Sequence, residues 1–479
     1  MTETNRSRTG EERGRMRLLL AGMISLAISH GLALVGAQDP PAAKDEKPTL
    51  EQAAPVTGDF AFDLYRQLAK VRPGQNLFLS PYSVSSALTM AAEGARGQTA
   101  AEMGEVLGYP EAARQRGAEA RLLPWNMAMI HQEMAKYNAL FRSKPDSPYL
   151  ISVANALYGE KTYPFSPSFI ATMEKFYGGD VVRLVDFKNA AEAARQQMNA
   201  WVEQQTRERI KNLVREGGVN ASTQLVIINA IYFKGEWATP FEGRLVREED
   251  FHANSQKTTV SMMQAYMLKG GRYAAFNANG SLFTTPEHAS RDVPKESLYP
   301  GQGGFQIAEL PYKGGALAMV LVVPQDVDGL PAIEKELTAA RLRSWCGKLD
   351  ARVMNVALPK FRIESSYEMS DPLRELGMRQ AMNPDNADFS GMSADGSRGV
   401  AISGVLHKAF VKVTEEGTEA AAATAVVLPP PGRVSSVFIP HVRADRPFLF
   451  AICDRGTGTI LFLGRLVAPA DAALPADGS

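Results

Sequence analysis

Apolar positions recur along the chain at two spacings, one typical of helices and one typical of strands. Phe60, Leu64 and Leu68 repeat every four residues, which predicts a helix with one buried face. Residues 225–233 form a nearly continuous apolar run of strand length, which predicts a strand buried on both faces. An amphipathic pattern over Ala190–Leu213 predicts a second, longer helix.

Two pairs of apolar segments in the second half of the chain predict β-hairpins. Ile307–Leu310 and Leu317–Val323 flank one turn that contains Gly and Pro, and Pro447–Cys453 and Thr459–Leu466 flank another. Val353–Ile363 predicts a further strand. Because runs of helices are followed by runs of strands, the pattern predicts an α+β fold and not an alternating α/β one.

Composition suggests how the chain is divided. No repeat or linker interrupts residues 55–467, so we expect one large domain there. Residues 270–303 are rich in Gly, Pro and Ser and are interpreted as a surface insertion. Residues 38–54 have the composition of a linker, and residues 468–479 that of a flexible tail.

The N-terminal segment, residues 1–37, has the pattern of a secretory signal peptide. Arg13, Arg15 and Arg17 precede an apolar run over residues 18–35, and small residues follow it. We therefore expect cleavage and a protein that is secreted, either periplasmic or extracellular. The alternative is an uncleaved membrane anchor, because about 18 apolar residues come near the length that spans a bilayer.

Charge and motif content narrow the functional classes. Lys plus Arg and Asp plus Glu both number 52, so no overall charge favours a nucleic-acid partner. No nucleophile elbow, zinc-protease motif or phosphate-binding loop is present, and no two of the six histidines have metal-ligand spacing. We expect no enzymatic activity, no metal and no cofactor. Cys346 and Cys453 are expected to be free thiols, with a disulfide between them as the alternative.

A segment of small residues near the C-terminus is the most unusual part of the sequence. Residues 415–427 read EEGTEAAAATAVV, and Pro429, Pro430 and Pro431 follow them. Alanine favours a surface helix, whereas the missing apolar stripe and the prolines favour an exposed loop that can become a strand. The local pattern leaves both interpretations open.

Nine blocks of sequence, in order and correctly spaced, make residues 55–467 resemble the serpins. The blocks are Asn76–Pro81 with Ser83, Gly94–Thr99, Asn199–Glu203, Asn229–Trp237, Glu309–Tyr312, Leu358–Phe361, His407–Phe410, Glu416–Ala420 and Asp445–Phe450. The chain is accordingly identified as a member of this family, with a bacterial-type secreted serpin expected. The resemblance implies a large central mixed β-sheet, smaller sheets, about eight to nine helices and an exposed reactive-centre loop near residues 415–440.

The resemblance also implies a suicide inhibitor of serine proteases, with cysteine proteases as a second target class. A protease attacks the loop as a substrate and forms an acyl-enzyme, after which the cut loop inserts as a strand into the large sheet and distorts the enzyme. A monomer with a protease partner is expected. The alternative is a non-inhibitory serpin that binds a ligand or acts as a structural or chaperone-like protein.

Within the loop, the resemblance assigns a hinge and a cleavage site. The hinge residues are Glu416, Gly417, Thr418, Glu419, Ala420, Ala421, Ala422, Ala423 and Thr424, which are small enough, with few exceptions, to enter a packed sheet. The usual family spacing places the cleaved bond after Pro431, whereas Arg433–Val434 would suit a trypsin-like protease. Both assignments remain open, as does the view that Arg433 is simply a solvated charge.

Five further residues match family positions at the opening of the sheet. Ser80, Ser83, Asn229 and His407 match a polar cluster beneath its centre, where strands part to admit the loop. The alternative for these four is a satisfied set of core hydrogen bonds with no gating role. Trp237 matches an aromatic side chain that closes the top of the opening, or is otherwise simply core.

Overall fold

The computed structural model describes residues 58–141, 147–253, 256–284, 295–418 and 438–469. All of them fall within one unit, Lys47–Ser479. The α-helices are α1 (Gly58–Val71), α2 (Pro81–Ala92), α3 (Gly97–Val106), α4 (Met127–Phe141), α5 (Pro167–Tyr177), α6 (Phe187–Gln205), α7 (Leu330–Glu336), α8 (Ala339–Cys346) and α9 (Ser370–Leu376). None of the helices in these ranges has both the length and the apolar character needed to cross a bilayer.

Eighteen strands are present in the described residues. They are β1 (Leu77–Leu79), β2 (Tyr149–Glu160), β3 (Val182–Val185), β4 (Leu225–Glu236), β5 (Arg247–Ala253), β6 (Gln256–Leu268), β7 (Arg272–Phe276), β8 (Leu282–Phe283), β9 (Phe305–Pro311), β10 (Leu317–Pro324), β11 (Asp350–Ala351), β12 (Met354–Pro359), β13 (Phe361–Glu368), β14 (Ile402–Val413), β15 (Gly417–Thr418), β16 (His441–Arg443), β17 (Phe448–Asp454) and β18 (Ile460–Leu466).

The strands form three sheets. The first has the order β1-β18-β17-β10-β9-β7-β11, with β8 paired to β7. The second, with four strands, has the order β16-β12-β6-β5. The third, called the six-stranded sheet below, has the order β13-β14-β15-β4-β2-β3 and contains both parallel and antiparallel pairs. The α+β prediction is confirmed.

The six-stranded sheet is covered on both faces. Helix α2 packs on one face against β2 and β4, and it also contacts β18 of the first sheet. All twelve of its residues are buried, and the Ser80 hydroxyl caps it by accepting a hydrogen bond from the Ser83 amide at 3.2 Å. Helix α6 covers the other face, where Met198 and Val202 join a core cluster with Ile228 and residues of β2. Strands β4 and β2 therefore lie between two helices, as the apolar run 225–233 predicts.

Several sequence predictions are confirmed and three need correction. Both hairpins form, as β9–β10 and β17–β18, and both cysteines are free thiols. The single strand predicted over Val353–Ile363 is wrong, because the chain leaves the four-stranded sheet after Pro359 and joins the six-stranded sheet at Phe361. The predicted helix Ala190–Leu213 begins earlier, at Phe187, and ends at Gln205, since Arg207 and Glu208 have positive φ.

The surface insertion predicted over 270–303 is wrong for its first part. Residues 272–276 form β7, which pairs with β9 and β11, and Tyr273 and Phe276 are buried in the core. The short strand β8 follows it, and residues 285–294 lie outside the described ranges. The strand β7, with the sequence RYAAF, was missed because it is only five residues long and lies in a segment rich in Gly.

Candidate strand-insertion site

Strands β4 and β14 are parallel neighbours in the six-stranded sheet until a third strand separates them at one end. Their register runs from Ile402 opposite Leu225 to Phe410 opposite Tyr232. At the far end β15 lies between them, with Thr418 opposite both Val413 of β14 and Gly235 of β4. Strand β15 is antiparallel to both neighbours. At this end of the sheet, β4 and β14 are therefore already separated by the two residues of β15.

A tight turn carries the chain from β14 back into β15. The Thr414 amide donates to the Gly417 carbonyl at 2.8 Å, and the Trp237 amide donates to the Glu416 carbonyl at 2.9 Å. Glu415 forms an ion pair with Lys360 at 2.5 Å. A Cβ atom on Gly417 would collide with the carbonyl oxygen of Gly235, so only glycine allows the backbones to approach this closely.

Thr418 is held in an aromatic pocket at the entrance between the strands. Its side chain is fully buried, and its hydroxyl is 2.7 Å from the hydroxyl of Tyr312. Tyr312 stacks on Trp237 at 4.7 Å between ring centroids, and the Trp237 indole N–H donates to the Thr414 carbonyl at 3.0 Å. Burial raises the pKa of Tyr312, which therefore keeps its proton for this contact. The entrance thus accepts a small polar side chain.

A buried polar cluster lies further down the pair of strands. His407 of β14 donates from Nδ1 to Asn229 Oδ1 of β4, and its Nε2 accepts from the Ser80 amide at 3.2 Å. Asn229 donates to the Ser83 hydroxyl at 2.5 Å and to the side-chain carbonyl of Asn155 on β2. These hydrogen bonds join β14, β4 and β2 to the start of α2. They must be exchanged or broken if β4 and β14 separate.

Lowering the pH is expected to weaken this cluster through His407. Burial lowers the pKa of His407 to about 3, against an ordinary value of about 6.5. The unfolded chain therefore binds the proton more readily, so the contribution of His407 is complete above pH 6.5 and is lost as the pH falls towards 3. Between pH 7 and pH 5 we expect a loss of about 2 kcal/mol in the free energy of unfolding.

Urea denaturation at the two pH values measures this loss. The variant His407→Gln is the matched control, because a glutamine amide can accept from Ser80 and donate to Asn229 without titrating. It should remove most of the difference between pH 7 and pH 5. An equal pH dependence in both proteins would show that His407 is not the group responsible.

The structure brings some of the predicted site residues together and separates others. Ser80, Ser83, Asn229 and His407 form one hydrogen-bonded cluster. Trp237 lies eight residues beyond Asn229 in the chain, about 26 Å along the strand direction. Of the hinge, Glu416, Gly417 and Thr418 are described. Residues Glu419, Ala420, Ala421, Ala422, Ala423, Thr424, Pro431, Arg433 and Val434 lie outside the described ranges.

Two residues of the site were not predicted. Asn155 completes the polar cluster, and Tyr312 forms the wall against Thr418. Asn155 lies within the mostly apolar run Tyr149–Leu157, and a polar residue in such a run was an available signal. Within the described ranges, no group of three or more His, Cys, Asp or Glu side chains is placed to hold a metal ion.

Comparison with known proteins identifies relatives along nearly the whole chain. A family model described as "Serpin (serine protease inhibitor)" matches residues 55–469. Serpin B3 of Homo sapiens is 40% identical over 415 residues, which cover 86% of this chain and 97% of that protein. Leukocyte elastase inhibitor of Equus caballus is 37% identical over 429 residues, 88% of this chain and 100% of that protein. The structure of human thyroxine-binding globulin complexed with thyroxine matches with a TM-score of 0.71 at 26% identity, covering 88% of this chain and 100% of that one.

Proposed function

The chain belongs to the serpin family, and on that basis we propose that it is a suicide inhibitor of serine-type endopeptidases and not an enzyme. The observation that carries the proposal is the position of β15. Gly417 and Thr418 occupy the first two places of a strand between β4 and β14, antiparallel to both. The residues that follow them can extend this strand once the loop is cut.

The register of β15 predicts where each loop residue would arrive on insertion. If pairing continues from Thr418 opposite Val413 and Gly235, each further loop residue meets the preceding residue of β14 and of β4. Thr424 then reaches the level of His407 and Asn229, on the same face as Thr418. A threonine hydroxyl can exchange hydrogen bonds with this polar cluster, so the cluster need not remain unpaired after the strands separate.

Glu419 is the one charged residue within 418–428, and the predicted register would bring it close to two lysines. If the same register continues, Glu419 would lie level with Lys412 of β14 and Lys234 of β4, on the face covered by α6. A carboxylate between two ammonium groups is stabilised by both. Ala421 and Ala423 would follow on that face after insertion, where small side chains leave the packing of α6 least disturbed.

Insertion would also improve the pairing of the sheet. At present β4 and β14 share one parallel ladder over residues 225–232 and 402–410. A strand inserted in the direction of β15 replaces it with two antiparallel ladders, which are slightly more stable per residue and add new hydrogen bonds. Ten further residues, 419–428, contribute on the order of 10 kcal/mol at about 1 kcal/mol each. This is enough to distort an enzyme attached to the loop.

A non-inhibitory, ligand-binding serpin is the second candidate. The similarity to thyroxine-binding globulin favours it, since that structure holds a small molecule. Sequence identity favours inhibition, because the relatives of higher identity include a protein named as an elastase inhibitor. The small residues at 420–424 also fit insertion.

Incubation with a panel of serine and cysteine proteases tests the proposal. We expect a covalent complex that survives denaturing electrophoresis, and the mass of the released C-terminal fragment identifies the cleaved bond. Cleavage by every protease without a complex would contradict inhibition.

The scissile bond is proposed to be Arg433–Val434, cut by a trypsin-like protease. An arginine side chain suits a specificity pocket that carries an Asp. Arg433→Ala should reduce the rate of complex formation with trypsin by at least about a hundredfold, whereas Arg433→Lys should retain most of it. Complex formation at the normal rate by Arg433→Ala would assign cleavage elsewhere, with Pro431 as the first alternative.

Export and oligomeric state complete the proposal. We propose cleavage of residues 1–37 and a secreted monomer, which mass spectrometry of the N-terminus and sedimentation velocity can test. An N-terminus at Gln38 is the expected result. The relatives named above are mammalian proteins, which gives no support to the expectation of a bacterial type.

A further inference from the structure

The C-terminal end of β6 exposes two large apolar side chains next to each other. Tyr266 is 52% exposed and Met267 is 49% exposed. Both lie opposite Asn355 of β12, because Ala265 pairs with Val356 and Leu268 pairs with Met354. This is a β-bulge, with two residues on one strand facing one on the other. The bulge breaks the usual alternation and turns two consecutive side chains towards solvent.

The backbone at this bulge is in an unfavourable conformation for its residue. Met267 has φ of 55°, a region that favours glycine. The Asn355 side chain holds it there by accepting a hydrogen bond from the Met267 amide at 3.0 Å. Strained backbone that presents an apolar side chain to water is unhelpful for folding alone, so a role in recognition is the better explanation.

Contacts connect this bulge with both ends of segment 419–437. On one side, the Asn355 amide donates to the carbonyl of Pro440, which follows the segment closely. On the other side, Thr239 donates from its hydroxyl to the Lys269 carbonyl at 3.5 Å. Thr239 is two residues from Trp237, whose amide binds the Glu416 carbonyl. Residues beside the bulge are therefore connected by short contacts to residues at both ends of segment 419–437.

We propose that Tyr266 and Met267 form a second contact surface for the protease that attacks the loop. This inference rests on the proposed inhibitory function, because the loop is what brings the protease to this place. Tyrosine and methionine are enriched in the cores of protein interfaces. The occupant we infer is a serine-type endopeptidase with an apolar depression beside its active-site cleft.

The test compares association rate constants with one protease that forms the covalent complex. The double variant Tyr266→Ala/Met267→Ala should lower the second-order rate constant about thirtyfold, because truncating an interface anchor shortens the life of the encounter complex before acylation. The number of inhibitor molecules consumed per protease should not change, since the insertion site is untouched. Tyr266→Phe/Met267→Leu should restore most of the rate.

Val71→Ala/Leu122→Ala serves as the matched control. These residues are 64% and 51% exposed and are not among the contacts described at the loop ends, so the rate should stay at the wild-type value. An unchanged rate in the Tyr266/Met267 variant overturns the contact surface alone. Absence of any covalent complex with the wild-type protein overturns the proposed function and this inference with it.

Two other occupants of the surface would give different results. If a second copy of the chain covers it, sedimentation velocity will show a wild-type dimer that the double variant abolishes. If the protein's own loop covers it, the double variant will react faster and not more slowly. Either result contradicts the proposal.

Met267→Gly separates recognition from folding. Glycine relieves the positive φ, so the melting temperature should rise by about 2 °C. The apolar side chain is lost, so the association rate should fall. A purely structural residue would not change stability and rate in opposite directions. A rise in both would contradict the proposed contact.

Discussion

Replacing Thr418 by arginine is expected to convert the protein from an inhibitor into a substrate. Thr418 occupies a closed site in which its hydroxyl contacts Tyr312 and its backbone pairs with Gly235. An arginine there would place an unpaired charge in the core, at a cost of several kcal/mol. The side chain would therefore stay outside, and the inserting strand could not begin. We expect the fraction of encounters that end in a covalent complex to fall by at least about a hundredfold.

Cleavage of the Thr418→Arg variant should continue at the normal rate, because the bond that the protease attacks is distant in sequence. Denaturing electrophoresis should show cleaved inhibitor accumulating in place of the covalent complex. Thr418→Ser is the matched control, since it keeps the hydroxyl that meets Tyr312 and should remain inhibitory. A covalent complex formed in normal yield by Thr418→Arg would contradict the role of this site.

Much of the fold could be predicted from local patterns. The two hairpins formed where short apolar runs flank turns, and 225–233 became the two-sided strand that its composition indicated. The errors arose where the local sequence pattern does not indicate which strand a segment pairs with. Residues 354–368 are extended almost throughout, so nothing local marks the change of sheet beside Pro359.

The contacts within the candidate site could not be predicted from local patterns either. His407 and Asn229 are separated by 178 residues in the chain, and only the family resemblance suggested that they belong together. Their contact depends on the register of β14 against β4, which no single strand contains. The glycine at 417 could be recognised as a hinge. The sequence could not reveal that a side chain at position 417 would collide with the Gly235 carbonyl.

The small-residue segment had two interpretations, a surface helix or a loop that becomes a strand. The structure describes only its beginning, and there Gly417 and Thr418 are in a strand. If the register of that strand continues, Thr418 and Thr424 would lie on the same face of the sheet. That face carries His407 and Asn229, which gives a physical reason for a hydroxyl at both positions. Residues 419–427 themselves lie outside the described ranges, so the choice for them stays a prediction.

Cutting the loop is expected to make the protein much more stable, which is unusual for a broken chain. In the intact protein β4 and β14 pair directly over residues 225–232 and 402–410. A cut at Arg433–Val434 would free residues 419–428 to follow Thr418 between them. With about 1 kcal/mol per residue and about 2 °C per kcal/mol, the melting temperature should rise on the order of 20 °C.

The melting temperature before and after loop cleavage is therefore the measurement that tests strand insertion most directly. Limited proteolysis supplies the cut protein, mass spectrometry confirms a single cut within 419–437, and calorimetry gives both melting temperatures. Thr418→Arg, cut at the same bond, is the internal control and should show little increase. A rise on the order of 20 °C in the wild-type protein alone is the predicted result. Equal melting temperatures for the intact and cut wild-type protein would contradict insertion of the loop between β4 and β14.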